Sequence, residues 1–291
     1  SNVKNVIVKE VHFITATPKK LFPMMTKLGL PDALKALKDE KRVTLDIESL
    51  NKYYRSILQH KPVYIDNQTD DPIEFVKSVL EEHRDEILSV DQPILFAPAK
   101  HETKTHFKMK CLMQSTFTNS LAGMHNGRYK GVFVNGNRFV SFDDLNEDKV
   151  GELRDTLVSL PTKFPNRVIS LTGLRTLTRG ITINTTVNGN KFHISHAFFS
   201  NYHLRMDDDD LDQLVHRLCG GMEYTGITIV YTTEKLWKQV VSHAKHMMHL
   251  MSQDLDVYKQ DDFDVRKEGE FVSSEYQIIP DQGTTSIHEI L

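Results

Sequence analysis

Short apolar runs rich in β-branched and aromatic residues recur along this chain with helical stretches between them, and that alternation restricts the fold most. Strands are read at Val11–Thr15, Val63–Asp66, Ile94–Ala97, Gly131–Asn135, Val168–Leu171, His196–Ser200 and Ile227–Tyr231. Helices are read at Pro72–Ser89, Thr105–Ala122, Glu147–Leu160, Asp208–Leu218 and Thr233–Leu255. The first of these opens on Asp70-Asp71-Pro72, a cap followed by a proline in the first turn, and continues with Ile73, Phe75, Val76, Val79 and Leu80. Crossover helices between such strands cover both faces of a mainly parallel sheet, so the expectation is an α/β fold.

With 291 residues, 39% apolar and 26% charged, the chain has hydrophobicity for one large domain with appendages or two small ones. Fibrous, collagen-like and wholly disordered classes drop out. No stretch approaches the ~18–20 apolar residues of a membrane span, and the start, SNVKNVIVKE, lacks the charged and apolar regions of a signal peptide. Neither secretion nor membrane contact is expected, and an intracellular setting follows, whether cytoplasmic, nuclear or viral. Cys111 and Cys219 are too few for a disulfide framework or a four-thiolate zinc site. The net charge of −3 conceals an asymmetry: residues 251–291 carry −7 and residues 1–250 carry +4. That mildly basic body permits contact with a polyanion. The acidic, aperiodic stretch 261–291 reads as a tail, and 18–62, punctuated by Pro18 and Pro31, as a linker. A chain beginning Ser1-Asn2 reads as a piece of a longer protein.

Three segments carry chemistry. They are Phe13-Ile-Thr-Ala-Thr-Pro18, Thr176-Leu-Thr-Arg-Gly-Ile-Thr-Ile183 and Asp212-Gln-Leu-Val-His-Arg-Leu-Cys-Gly220. On a helix Gln213, His216 and Arg217 share a face at i, i+3 and i+4. Gly180 lets backbone approach a phosphate where a Cβ would intrude, with hydroxyls from Thr178 and Thr182 on either side. In this order the segments resemble the later motifs of superfamily 2 helicases: Ser/Thr-Ala-Thr, Thr-Arg-Gly-Ile-(Thr/Asp)-Ile and Gln-x-x-(Gly/His)-Arg. The resemblance covers roughly residues 11–232.

That resemblance implies a three-layer, RecA-like second lobe over 63–260, with residues 1–17 the last strand of a preceding first lobe. ATP in such enzymes lies between two lobes, and an arginine of the second stabilises charge that develops on the transferred phosphate. It implies Arg217 as that finger, with Gln213 beside it as a catalytic contact and Gly180, Thr182 and His216 near the nucleotide. It further implies that Thr178 and Arg179 touch nucleic-acid backbone, and that Thr15 and Thr17 couple nucleotide state to strand binding. Gly131–Asn137 is similar to a motif IV-type strand, which would expose Asn135 at the carboxyl edge of the sheet, the edge where parallel sheets bind ligands. Lys100, Lys104, Lys108 and Lys110, interleaved with His101, His106 and Phe107, suit either a phosphate-tracking surface or a solvated helix face.

Two departures from the family pattern matter. The last motif usually carries a second arginine three residues after the first, and position 220 is Gly. Neither a Gly-x-x-x-x-Gly-Lys-(Ser/Thr) loop nor an Asp-Glu-x-(Asp/His) segment occurs, so ATP and magnesium would be bound mainly by a first lobe upstream or on another chain. The expected partners are therefore that lobe and a DNA or RNA strand. The rival reading is a catalytically inert helicase-like scaffold; a weaker one is a metal-dependent nuclease built on Asp207–Asp210. Consecutive acids fan out around a helix and suit its N-terminus, so the run reads first as a helix start. His243, His246 and His249 read as part of a packing helix, and Cys219 as a buried small residue.

Overall fold

A computed structural model describes residues 54–134, 136–145, 153–174, 183–187, 190–221 and 226–252. In chain order they begin with β1 (Tyr54–Arg55), β2 (Lys61–Tyr64), α1 (Pro72–Leu88), β3 (Ile94–Phe96), α2 (Thr103–Thr116) and β4 (Leu121–His125). Next come β5 (Lys130–Val134), β6 (Arg138–Ser141), the single turn α3 (Phe142–Leu145), α4 (Leu153–Lys163) and β7 (Ile169–Thr172). The last are β8 (Thr185–Val187), β9 (Asn190–Phe192), β10 (His196–Phe199), α5 (Asp208–Val215), β11 (Gly220–Gly221), β12 (Ile229–Thr232) and α6 (Glu234–Ser252). Those up to Met248 belong to one unit; of a second unit, Ser1–Thr44 with His249–Phe271, only His249–Ser252 at the end of α6 are described.

Eight strands form one sheet in the order β2-β12-β10-β3-β7-β4-β5-β6. The six from β2 to β4 are parallel, and β5 and β6 add an antiparallel edge. Strands covered on both faces read as continuous apolar runs, and Ile94-Leu95-Phe96 is buried at every position. Successive residues point to opposite faces. Ile94 and Phe96 join Leu157, Leu160, Leu211, Leu214, Leu236 and Trp237, from α4, α5 and α6. Leu95 and Ala97 join Phe75, Val79, Met109 and Met113, from α1 and α2. Helices thus cover both faces in three layers, as the alternation of elements predicts. Each fully buried Leu or Phe contributes roughly 1.5–3 kcal/mol relative to exposure.

The predicted start of α1 is observed: the Asp71 carboxylate accepts from Ile73 N at 2.9 Å, and Pro72 opens the helix. Three expectations change. The helix read over Thr105–Ala122 stops at Thr116, and Leu121–His125 is a strand. The strand read at Gly131–Asn135 is antiparallel to β4, so its carboxyl end lies at the edge opposite to that of the parallel strands. Residues 54–62, read as linker, hold β1, the buried Ile57 and the start of β2. Among the described residues no helix is long and apolar enough to cross a membrane.

Candidate functional site

The segment around Arg217 begins with a helix start. Asp207 accepts from Asp210 N at 2.8 Å, so this acidic run begins α5. Leu211, Leu214 and Val215 turn into the core, leaving Asp212, Gln213, His216 and Arg217 half-buried at the rim. α5 then tightens into a 3-10 turn over His216–Leu218. Arg217 Nε donates to the Gln213 carbonyl at 3.1 Å, which brings these two expected residues together, while His216 turns to Asp212.

Asp212 organises this turn, a role that sequence reading did not assign. His216 Nδ1 bonds the Asp212 carbonyl at 2.8 Å and lies 3.1 Å from Asp212 Oδ1, which also accepts from His243 Nδ1 of α6 at 3.2 Å. Burial alone would raise the Asp212 carboxyl, but the two imidazole hydrogen bonds outweigh it and hold the group well below the usual carboxylate range. His216 is shifted the other way: burial disfavours its charged form, yet Asp212 prevails and its pKa is raised. His243 therefore serves as a ligand of Asp212 from a packing helix. Burial pushes the Cys219 thiol far up, which fits an inert small residue.

Asn184 connects this turn to the Thr176–Ile183 segment. It directly follows Ile183, and both are buried. Its Nδ2 donates to the carbonyls of Leu218 at 2.8 Å and Arg217 at 3.3 Å, and its Oδ1 accepts from Ile194 N at 2.8 Å. Upstream, Leu174 lies just past the carboxyl end of β7; downstream, Asn184 lies near the start of β10.

The edge where β10 begins is also where β2 and β12 begin. His60, just before β2, accepts from Thr228 N at 3.0 Å through Nδ1. His193, before β10, accepts from Gly226 N at 3.2 Å, and a Cβ on Gly226 would come within 2.7 Å of His193 Nε2. Burial, with the charge of Arg55 adding to it, pushes His60 down to about 3 and His193 to about 4. Both are neutral at pH 7.

The predicted lysines divide. Lys110 is buried, donating to Asn137 Oδ1 at 2.8 Å with its ammonium 4.7 Å from the Phe133 ring centroid. Lys100 pairs with Asp71 at 3.3 Å, and its carbonyl bonds His106 Nε2 at 2.7 Å, so it is a tether of the loop after β3. Lys104, paired with Glu102 at 2.8 Å, and Lys108 face solvent. Lys100 and Lys104 follow the carboxyl end of β3, whereas Arg217 lies toward the edge where strands begin. The structure does not bring these two sets together. Asn135 was expected at the carboxyl edge of the parallel strands, but the antiparallel direction of β5 removes the ground for that placement.

Thr15, Thr17, Asn135, Thr178, Arg179, Gly180 and Thr182 lie outside the described residues. No group of three His, Cys, Asp or Glu side chains among the described residues is placed to hold a metal ion. Comparison with known proteins finds no matching family, no matching curated protein and no matching solved structure.

Proposed function

We propose that this chain carries the second, RecA-like lobe of a superfamily 2 helicase or translocase, which closes on ATP held by a first lobe and grips a DNA or RNA strand. The observation that supports it most is Asn184 bonding the Arg217 and Leu218 carbonyls, which joins the flank of Thr176–Ile183 to the Gln213–Gly220 turn. These segments are separated in sequence, and a shared interlobe face requires them side by side. Arg217 supplies the cation toward the transferred phosphate, Gln213 and His216 lie beside the nucleotide, and Thr178, Arg179 and Gly180 meet nucleic-acid backbone. The donors here are N–H groups, suited to phosphate oxygens; magnesium belongs with carboxylates of the first lobe. Bound there, magnesium supplies charge neutralisation on the phosphates.

Nucleic-acid-stimulated ATP hydrolysis by the intact protein tests this reading. Stimulation that depends on Arg217 supports it. A protein that binds its partners but hydrolyses no ATP would instead support the inert scaffold, toward which Gly220 in place of a second arginine points.

A further inference from the structure

Position 220, where the helicase pattern has its second arginine, is Gly. β1 pairs with β11 in antiparallel register, with Arg55 directly opposite Gly220 and Tyr54 opposite Gly221. Directly opposed residues of an antiparallel pair project from the same face, with Cβ atoms about 4.5–5.5 Å apart. An arginine at position 55 therefore starts within one side-chain width of the place where an arginine at position 220 would start, and leaves the ladder on the same side. Gly220 contributes no side chain to compete for that space.

The surroundings match a site for anionic oxygens. Arg55 of β1, His60 before β2, His193 before β10 and the His216-Arg217 turn after α5 come from four parts of the chain and are linked in pairs. Arg55 bears electrostatically on both His60 and His193, His216 bears on His60, and Arg217 on His216. With His60 and His193 neutral at pH 7, the positive charge of this set comes from Arg55 and Arg217, with His216 shifted toward its charged form, and an anionic oxygen suits it. Arg55 is half-buried, so part of its side chain reaches the surface.

We infer that Arg55 supplies from β1 the second phosphate-facing guanidinium that the Gln213–Gly220 segment lacks, so that Arg55 and Arg217 together face the triphosphate. The inference rests on the helicase-lobe reading above. The β1–β11 ladder fixes Arg55 opposite Gly220, three residues past Arg217 in the 3-10 turn, and two guanidinium groups so placed suit charge that spreads over several phosphate oxygens. On this account Gly220 is a relocation of the second arginine and does not signal an inactive lobe.

The test uses the intact protein with ATP, ADP and ADP plus aluminium fluoride as probes. Arg55→Ala is expected to lower nucleic-acid-stimulated turnover about 100-fold while ATP affinity changes less than about threefold. Affinity for ADP with aluminium fluoride is expected to fall at least about tenfold, with ADP alone unaffected, because the guanidinium addresses charge at the transferred phosphate. Free guanidinium should restore at least about fivefold of the Arg55→Ala rate without raising that of the wild type, an effect a structural role would not give. Arg55→Lys, which keeps charge and bulk, guards against loss of the β1–β11 ladder and should be intermediate. Arg55→Ala with near-wild-type turnover, alongside an inactive Arg217→Ala, would overturn the role of Arg55 alone. Near-wild-type turnover in both variants, or no ATP hydrolysis by the wild type, would overturn the lobe reading and this inference with it.

Discussion

Asn184 illustrates how one amide can hold two distant segments in register. Its side chain is buried and makes three hydrogen bonds, two to the carbonyls of Arg217 and Leu218 and one from Ile194 N. Truncation strands buried backbone groups, at roughly 1–3 kcal/mol for each group left unsatisfied. Asn184→Ala should therefore lower stability by about 2–4 kcal/mol in urea unfolding, whereas loss below about 0.5 kcal/mol would show that the bonds do not anchor the turn. Sequence reading passed over Asn184 because it falls one residue past the Thr176–Ile183 segment and the two carbonyls it binds lie more than thirty positions away. Asp212 was passed over for a related reason: its partner His243 comes from α6, and helical periodicity says nothing of which helices adjoin. The Gln213–Arg217 contact was readable because its i, i+4 spacing is local, even though Arg217 falls in the 3-10 turn that follows α5.

Caps provide the cleanest check among the elements. Asp71 holds the first turn of α1 through Ile73 N and also pairs with Lys100 in the loop after β3. Asp71→Ala should cost about 1 kcal/mol, read as a shift of the urea midpoint at unchanged slope. A shift of a few tenths or less would show that the cap is frayed. The parallel strands β3, β7, β10 and β12 were visible in sequence because each is an apolar run buried on both faces. Leu121–His125 was not: its Leu, Ala and Met continue the helical pattern of α2, and only pairing with β7 and β5 makes it a strand. The β5–β6 hairpin left a trace in Asn135-Gly136-Asn137, since Gly136 takes φ +88°, a turn conformation that glycine favours. β1 and β11 span two residues each, too short for any periodicity, and it is their pairing that brings Arg55 to Gly220.

Buried imidazoles set the acid limit of the whole molecule. Desolvation, the largest influence in each case, pushes His60 down to about 3 and His125, His193, His196 and His203 to about 4, from 6.5. Below pH 6.5 the unfolded chain binds protons that the folded chain refuses, so stability falls with pH from 6.5 down to about 4. His216 has the opposite sign: its raised pKa contributes fully below 6.5 and is lost as pH rises through the folded value. Asp212, with a depressed pKa, contributes above its unfolded value of 3.8 and fails only in stronger acid. Six depressed imidazoles, these five and His106, outweigh one raised, so the urea midpoint should be lower at pH 5 than at pH 7. An equal or higher midpoint at pH 5 would mean that these rings are hydrated.

On the proposed reading, function at this scale depends on one rim meeting a second lobe, and the separation of chemistry from binding at Arg217 probes it most directly. The decisive measurement is nucleic-acid-stimulated turnover and ATP affinity of the intact protein, wild type against Arg217→Ala. The account predicts turnover reduced about 1,000-fold or more with ATP affinity nearly unchanged, as when a finger acts on the transition state alone. Unaltered turnover in Arg217→Ala would contradict it.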